Sequence, residues 1–177
     1  MNPLSDYFNT LSAAKAHRIA ALNHVENHPH TIPFLFQLAF DPSAQRENIY
    51  AAWVWELFTI KDLNRIDPFL KEALPLLPKI MNSSMRRSLS KSFWYFLKEK
   101  KNQEKLNDKQ RLQITTSFLD WVITEDKTAP LSFSIKILSL FQDQLPVLKS
   151  QLEDVLLHSN RTFPKGLYPT FATVFKN

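Results

Sequence analysis

Residues 49–58 of this 177-residue chain read IYAAWVWELF, an apolar segment that contains a single carboxylate, that of Glu56. The length and composition of the segment predict a helix that is apolar almost all the way round. Such a helix is buried on more than one side at the centre of a packed protein. The sequence therefore predicts a helical core built around residues 49–58.

The ratio of glycine to proline indicates the fold class. The chain has one glycine and eleven prolines. Glycine-rich phosphate-binding loops and tight β-hairpin turns need glycine, whereas proline is tolerated in the first turn of a helix. We therefore expect an all-α protein.

Length and composition favour one intracellular domain. A chain of this size can bury a core without metal ions or disulfides, and it contains no cysteine. Residues 1–8 lack the pattern of a signal peptide, and no apolar run is long enough to span a membrane. We expect a single cytoplasmic domain at residues 1–177, with its oligomeric state left open.

Hydrophobic periodicity and helix-breaking residues divide the chain into successive helices. The first is expected over residues 5–27. Two prolines should kink the helix at residues 68–81, and the charged residues 100–108 are expected to form a mobile loop. The other helices are predicted at residues 32–40, from the turn at 41–43 to about 60, and at 84–100, 108–124, 129–142, 146–158 and 161–175.

The predicted helices form pairs with a shared pattern, in which a bulky residue follows the turn by twelve positions. The turn and bulky residues are Asp41 and Trp53, Asn82 and Trp94, Asp126 and Leu138, and Ser159 and Phe171. The pairs cover residues 30–60, 66–100, 108–142 and 145–176, after an N-terminal capping helix at residues 5–28. Repeats of this length are typical of HEAT and armadillo helix pairs.

On these features the chain resembles the HEAT and armadillo helical-repeat proteins, and more narrowly a group of short bacterial repeat proteins. The matching stretches are residues 51–56, 84–91 and 118–123 and the closing helix pair. The resemblance implies a right-handed α-α superhelix of about four antiparallel helix pairs. A concave surface that binds a macromolecule is the usual working face of such proteins.

Two enzyme families share single features with this sequence. Short proteins of this appearance are sometimes labelled adenylosuccinate lyase, but residues 82–87 (NSSMRR) lack the glycine, the proline and the Lys-x-Asn-Pro end of that family's serine loop. HEAT-like DNA alkyl-purine glycosylases use tryptophans and an aspartate on a basic surface, and Asp120 and Trp121 match them in residue type alone. We expect no enzymatic activity, no catalytic residues and no cofactor.

The helix at residues 84–100 carries the main candidate site. At 100° per residue its core stripe is predicted to be Met85, Leu89, Phe93 and Phe96. The candidate binding face comprises Arg86, Arg87, Lys91, Trp94, Lys98 and Lys101. Tryptophan among basic residues can stack on a nucleic-acid base while the charges hold phosphates. Alternatively, Trp94 packs on a neighbouring repeat and the charges form a solvated rim.

Three further residues are secondary candidates. Glu56 is expected to be partly buried, and such a carboxylate must be ion-paired or have a raised pKa. We expect an ion pair with a lysine or arginine of an adjacent helix in preference to a catalytic acid. The helical positions of Asp120 and Trp121 predict exposure of the first and packing of the second.

The histidines at positions 24, 28 and 30 form the one cluster of this residue type. Histidines four residues apart on a helix can bind zinc. Pro29, however, breaks the helix, and no third ligand has a recognisable spacing. We expect histidines that interact with the end of a helix dipole, and no metal site.

These observations predict a non-catalytic scaffold or adaptor that binds an unidentified protein or peptide. The alternative is nucleic-acid binding through the candidate binding face and the Lys100–Lys105 segment, and a more remote one is a HEAT-like DNA base-excision enzyme. A net charge of +5 permits protein and nucleic-acid partners. Strong salt dependence of binding to a duplex would favour the alternative.

Overall fold

The computed structural model describes residues 4–143 and 146–174, except for the side chain of Pro146. All regular secondary structure in these ranges is helical, as predicted. Across the described residues, every helix is too short or too polar to cross a lipid bilayer.

Eleven α-helices lie within the described ranges, and we number them in chain order. They are α1 (Ser5–Thr10), α2 (Lys15–Asn27), α3 (Ile32–Ala39), α4 (Arg46–Lys61), α5 (Leu70–Ala73), α6 (Ser83–Leu97), α7 (Lys100–Glu104), α8 (Asp108–Thr124), α9 (Thr128–Ser139), α10 (Pro146–Glu153) and α11 (Tyr168–Val174). Short 3-10 segments and one π-helical turn, Asp154–His158, connect some of them.

The chain divides into two compact units, residues 1–92 and 93–177, and the division falls within α6. We refer to them as unit 1 and unit 2. The predicted single repeat domain at residues 1–177 stays a prediction.

Helix α4 is the centre of unit 1. It packs against α1, α2, α3 and the 3-10 segment Leu63–Phe69. Trp55 of α4 is fully buried and its ring lies 5.4–6.0 Å from four phenylalanine rings. These are Phe36, Phe40, Phe58 and Phe69. The prediction of a core helix buried on several sides is confirmed.

The N-terminal helix differs from its prediction because it is broken. Leu11 is extended, and α1 and α2 are separate helices. The Ser12 backbone N–H donates to His17 Nδ1 at 3.0 Å, and Ser12 Oγ accepts the N–H of Ala14 at 3.3 Å. These local side-chain bonds replace helical ones, and the prediction of one helix over residues 5–27 is therefore wrong.

The predicted kink at residues 68–81 is present. The helical part shrinks to the single turn of α5 and a 3-10 segment, Leu77–Lys79. Pro75 and Pro78 lie between and within these pieces, and neither can donate the backbone bond that a continuous α-helix requires.

Unit 2 is built on α8 and α9, which pack closely on each other, with α11 against α9. Phe118 lies between Phe93 and Trp121, at ring distances of 5.8 and 5.0 Å. Arg161 joins the closing segment to the end of α8, because its guanidinium donates to the carbonyl oxygen of Ile123 at 2.6 Å.

The predicted core stripe of α6 is buried in full: Met85, Leu89, Phe93 and Phe96.

The predicted mobile loop at residues 100–108 is wrong for its first half, which forms α7. Asn102 is buried, and its Nδ2 donates to the carbonyl oxygen of Phe96 at 2.9 Å. Gln103 Nε2 donates to the carbonyl of Leu97 at 2.8 Å. Carbonyls at a helix end have no partner within the helix, so these two amides cap α6 and fix α7 against it.

The four bulky residues of the repeat pattern are not equivalent. Leu138 is fully buried, whereas Trp53, Trp94 and Phe171 are half-buried. In α4 the deep position is Trp55, two residues beyond the predicted Trp53.

Candidate binding sites

In unit 1, one buried carboxylate forms ion pairs with two partly exposed basic side chains. Lys91 Nζ lies 2.7 Å from Glu56 Oε1, and Arg87 Nη1 lies 3.2 Å from Glu56 Oε2. Glu56 exposes 6% of its side chain, whereas Lys91 and Arg87 expose 27% and 37%. The carboxylate of α4 thus tethers two cations of α6, in the kind of ion pair that the sequence predicts. We call these three residues the Glu56 cluster.

Arg86 does not share the surface of its neighbour Arg87. Its side chain is buried, and Nε donates to the carbonyl oxygen of Ile80 at 2.7 Å. Its Nη2 lies 3.4 Å from the sulfur of Met81. In unit 1 the candidate binding face therefore presents Arg87 and Lys91, both already bound to a carboxylate, and not Arg86.

The part of the candidate binding face in unit 2 is more open. Lys98 and Lys101 are exposed, and Lys98 Nζ lies 4.4 Å from the centre of the Tyr95 ring. Trp94 is half-buried and lines a cavity of ≈ 390 Å³. The other described residues of this cavity are Lys136, Ser139, Gln142, Asp143, Lys149, Thr173 and Val174. We call it the Trp94 cavity.

A second concavity in unit 2 is apolar. It has a volume of ≈ 340 Å³ and lies between α8 and α10. Leu112 and Val147 form part of its wall and expose 61% and 69% of their surface. Its described lining residues carry no charge: Leu112, Thr115, Thr116, Leu119, Val147, Leu148 and Gln151. We call it the α8–α10 groove.

The secondary candidates on α8 separate as their helical positions predict. Asp120 is exposed and Trp121 is fully buried against Phe118. A tryptophan without exposed surface offers no face for a base to stack on. The structure therefore does not bring Asp120 and Trp121 together as a surface pair.

The histidine cluster forms a ring stack on unit 1. The rings of Tyr7 and His24 are stacked at 4.6 Å, and the rings of His24 and His28 are 4.5 Å apart. His30 meets His28 edge-on at 6.0 Å. Within residues 4–143 and 146–174, no group of three or more His, Cys, Asp or Glu side chains is arranged to hold a metal ion.

The pKa of His24 provides a test of this stack. Burial lowers the pKa of His24, and the nearby His28 and His30 lower it further. Because the folded-state pKa lies below that of the unfolded chain, His24 contributes stability above about pH 6.5 that is lost as the pH falls. We expect NMR titration to give His24 a pKa below the ordinary value, and the double substitution of His28→Asn and His30→Asn to raise it.

A control for the substitutions is His158, which is exposed in unit 2 and outside the stack. Its backbone amide signal should be the same in the wild-type and substituted chains. A His24 pKa at or above that of an isolated histidine would contradict the stacked arrangement.

The α8–α10 groove was not among the sites inferred from the sequence. A signal was present, because Leu112, Leu119 and Ile123 recur at spacings of seven and four residues and share one face of α8. That periodicity alone does not distinguish an exposed stripe from a buried one. Exposure of Leu112 and Ile123 became evident from the packing of unit 2.

No protein-family model, curated protein or solved structure matches this chain. The similarity to HEAT and armadillo proteins is therefore one of sequence pattern, and all regular secondary structure in the described part of the chain is helical. The function has to be argued from the chemistry of the sites.

Proposed function

We propose that the chain is a non-catalytic binding protein whose α8–α10 groove accepts an amphipathic helix of a protein partner. The observation that carries this proposal is the exposure of Leu112 and Val147 in the wall of an uncharged groove. Large exposed apolar side chains that flank a concavity are typical of protein interaction sites. Isolated ones elsewhere on a surface need no such explanation.

The shape of the apolar surface supports a helical partner. Leu112, Leu119 and Ile123 lie along one face of α8 and extend over about 16 Å at 1.5 Å per residue. A helix of three or four turns presents a matching stripe at positions i, i+3 or i+4, and i+7. The groove beside this stripe has room for the anchoring side chains of such a helix.

The chemistry of the lining supports an apolar contact face. Thr115 Oγ1 donates to the carbonyl oxygen of Arg111 at 3.0 Å, so one polar group of the lining is already satisfied within α8. Buried charges without partners are costly. A partner therefore fits best with leucine, isoleucine, phenylalanine or methionine in the groove and its charges at the rim.

A HEAT-like or armadillo-like solenoid remains our proposal for the architecture, since such proteins bind partners along the helices of their repeats. The nucleic-acid alternative has less support in unit 1, because Glu56 already pairs with Arg87 and Lys91. Each cation engaged in an ion pair is less available to replace a counterion of a nucleic-acid phosphate.

A displayed library of helical peptides, randomised at the positions i, i+3, i+4 and i+7 of one face, tests the proposal on the full chain. We expect selected peptides to carry large apolar residues at those positions. Leu112→Asp should weaken their binding by at least about ten-fold, which is the usual effect at a central interface residue. Binding is measured by fluorescence anisotropy.

The matched control is Leu157→Asp, since Leu157 is exposed to a similar degree in unit 2 but is outside the described lining of the groove. This variant should bind selected peptides as the wild type does. Peptides that bind the wild type and Leu112→Asp equally, or a library without any binder, would overturn the proposal.

A further inference from the structure

The Trp94 cavity has a composition that the proposed function does not use. Its walls come from α6, α9, α10, α11 and the turn after α9. It combines an aromatic ring, two lysines, an amide and a carboxylate within ≈ 390 Å³. This volume lies in the range of small-molecule sites.

The two lysines of the cavity supply its positive charge. Within residues 4–143 and 146–174, neither Lys136 nor Lys149 lies within ion-pair distance of a carboxylate. Lys136 Nζ rests 5.5 Å from the centre of the Phe133 ring, a cation–π contact. Two ammonium groups that form no ion pair with a described carboxylate give the cavity a net positive charge, which attracts an anion.

Gln142 adds a neutral donor to this set. Its Nε2 atom is buried and has no hydrogen-bond partner among the described residues. A buried donor without a partner is costly, and a bound acceptor removes that cost. Gln142 also lines the Trp94 cavity, and its side-chain amide carries two N–H donors.

Trp94 and Asp143 indicate the rest of the ligand. The half-buried indole of Trp94 is the kind of surface on which a planar base stacks. Asp143 is exposed in the same cavity, where its carboxylate can accept hydrogen bonds from an amino group. An anion alone would be repelled by Asp143, whereas an anion with an amino-substituted ring can contact the lysines, the indole and the carboxylate together.

We propose that the Trp94 cavity binds a nucleoside monophosphate whose base carries an amino group. The phosphate contacts Lys136 and Lys149, the base stacks on Trp94, and its amino group donates to Asp143. Gln142 supplies a further donor to the phosphate or sugar. This site is separate in its residues from the α8–α10 groove and does not depend on a peptide partner.

Isothermal titration of the full chain with adenosine monophosphate, adenosine and inorganic phosphate tests the proposal. We expect saturable binding of adenosine monophosphate with a dissociation constant below about 1 mM. Adenosine and phosphate should each bind at least about ten-fold more weakly, because each lacks one half of the contacts.

Two variants assign the contacts. Lys149→Gln changes an exposed side chain and should weaken the binding of adenosine monophosphate and phosphate alike by about ten-fold. Trp94→Leu should weaken the binding of adenosine monophosphate and leave the binding of phosphate unchanged. Lys165→Gln, at an exposed lysine of unit 2 outside the described lining of the cavity, should change the binding of neither ligand.

Several results would overturn the proposal. Absence of binding by adenosine monophosphate would do so directly. Equal affinity for phosphate, with Trp94→Leu unchanged, would show a simple anion site and exclude the base. Equal affinity for adenosine would exclude the contact between lysine and phosphate. Circular dichroism of each variant confirms that the comparison is made between folded proteins.

Discussion

Replacing Trp55 by alanine is expected to lower the free energy of unfolding of unit 1 by about 3–5 kcal/mol, the usual cost of removing a buried aromatic side chain. Trp55 is fully buried on α4, the helix that packs against most of unit 1. The change leaves a cavity among rigid rings that cannot close around it without leaving their own positions.

The four phenylalanine rings around Trp55 explain why the loss is at the upper end of the range for core substitutions. Phe40 and Phe69 meet the indole edge-on at 5.7 and 5.4 Å, a favoured arrangement for aromatic pairs. Such pairs add about 0.5–1.5 kcal/mol to the effect of burial. Removal of the indole therefore eliminates both the buried apolar area and several ring contacts.

Native-state hydrogen exchange of the α4 amides is the appropriate measurement, because the chain has two compact units and exchange resolves them. The matched control is Trp53→Ala on the same helix. Trp53 is half-buried and contacts Tyr50 edge-on at 4.8 Å and the Arg18 guanidinium at 5.5 Å. We expect Trp53→Ala to lower the free energy of unfolding of unit 1 by about 1–2 kcal/mol.

We expect Trp55→Ala to destabilise unit 1 more than Trp53→Ala does. The repeat pattern of the sequence, which selects Trp53, predicts the opposite order. Equal losses, or a larger loss for Trp53→Ala, would contradict the assignment of Trp55 as the central core residue. If Trp55→Ala lowered the exchange protection of the α8 amides as much as that of the α4 amides, unfolding of the two units would be coupled.

This pair of residues shows how far the sequence can be interpreted. The composition of residues 49–58 was sufficient to predict a central helix with burial on several sides. Residues two positions apart on a helix point about 200° from each other, so Trp53 and Trp55 cannot face the same neighbour. Which of them faces the aromatic cluster depends on Phe36 and Phe69, and on how α3 and the segment after α4 fold back.

The segment after α6 shows a different limit. Its charged composition predicts a loop, and the structure has a helix because Asn102 and Gln103 reach the last carbonyls of α6. Local helix propensity cannot predict such contacts, since they depend on the path that the chain takes after Leu97. From sequence alone, polar residues near a helix end are therefore compatible both with a solvated loop and with a segment that caps the helix.

The candidate binding face was predictable in part. Helical spacing placed Met85 and Leu89 in the core, and both are buried. Spacing also placed Arg87 and Lys91 on one side, and both bind Glu56. The burial of Arg86 depends on the carbonyl of Ile80, in a turn whose position relative to α6 the sequence pattern does not specify.

Replacing Glu56 by alanine is the second change with a large expected effect. Loss of one partner of a fully buried ion pair costs about 3–5 kcal/mol. Arg87 and Lys91 are about one-third and one-quarter exposed, and solvent therefore screens part of their mutual repulsion. We expect a loss of about 1.5–3 kcal/mol in unit 1, measured by hydrogen exchange of α4 amides.

Glu47→Ala is the matched control, because Glu47 is a half-buried acid in the first turn of the same helix. It should cost at most about 1 kcal/mol through the helix dipole. In a double-mutant cycle, Lys91→Met should recover about 1 kcal/mol of the loss caused by Glu56→Ala. Strict additivity of the two changes would contradict the ion pair.

The Glu56→Ala variant also tests whether Glu56 suppresses nucleic-acid binding. Without the carboxylate, Arg87 and Lys91 are available to phosphates, and Glu56→Ala should bind a duplex of about 20 base pairs more tightly than the wild type at about 50 mM salt. The gain should vanish at about 200 mM salt and in an Arg87→Ala/Lys91→Ala background. Strong duplex binding by the wild type that depends on these two cations would instead support nucleic-acid binding as the function, because the carboxylate would then not prevent their contact with phosphate.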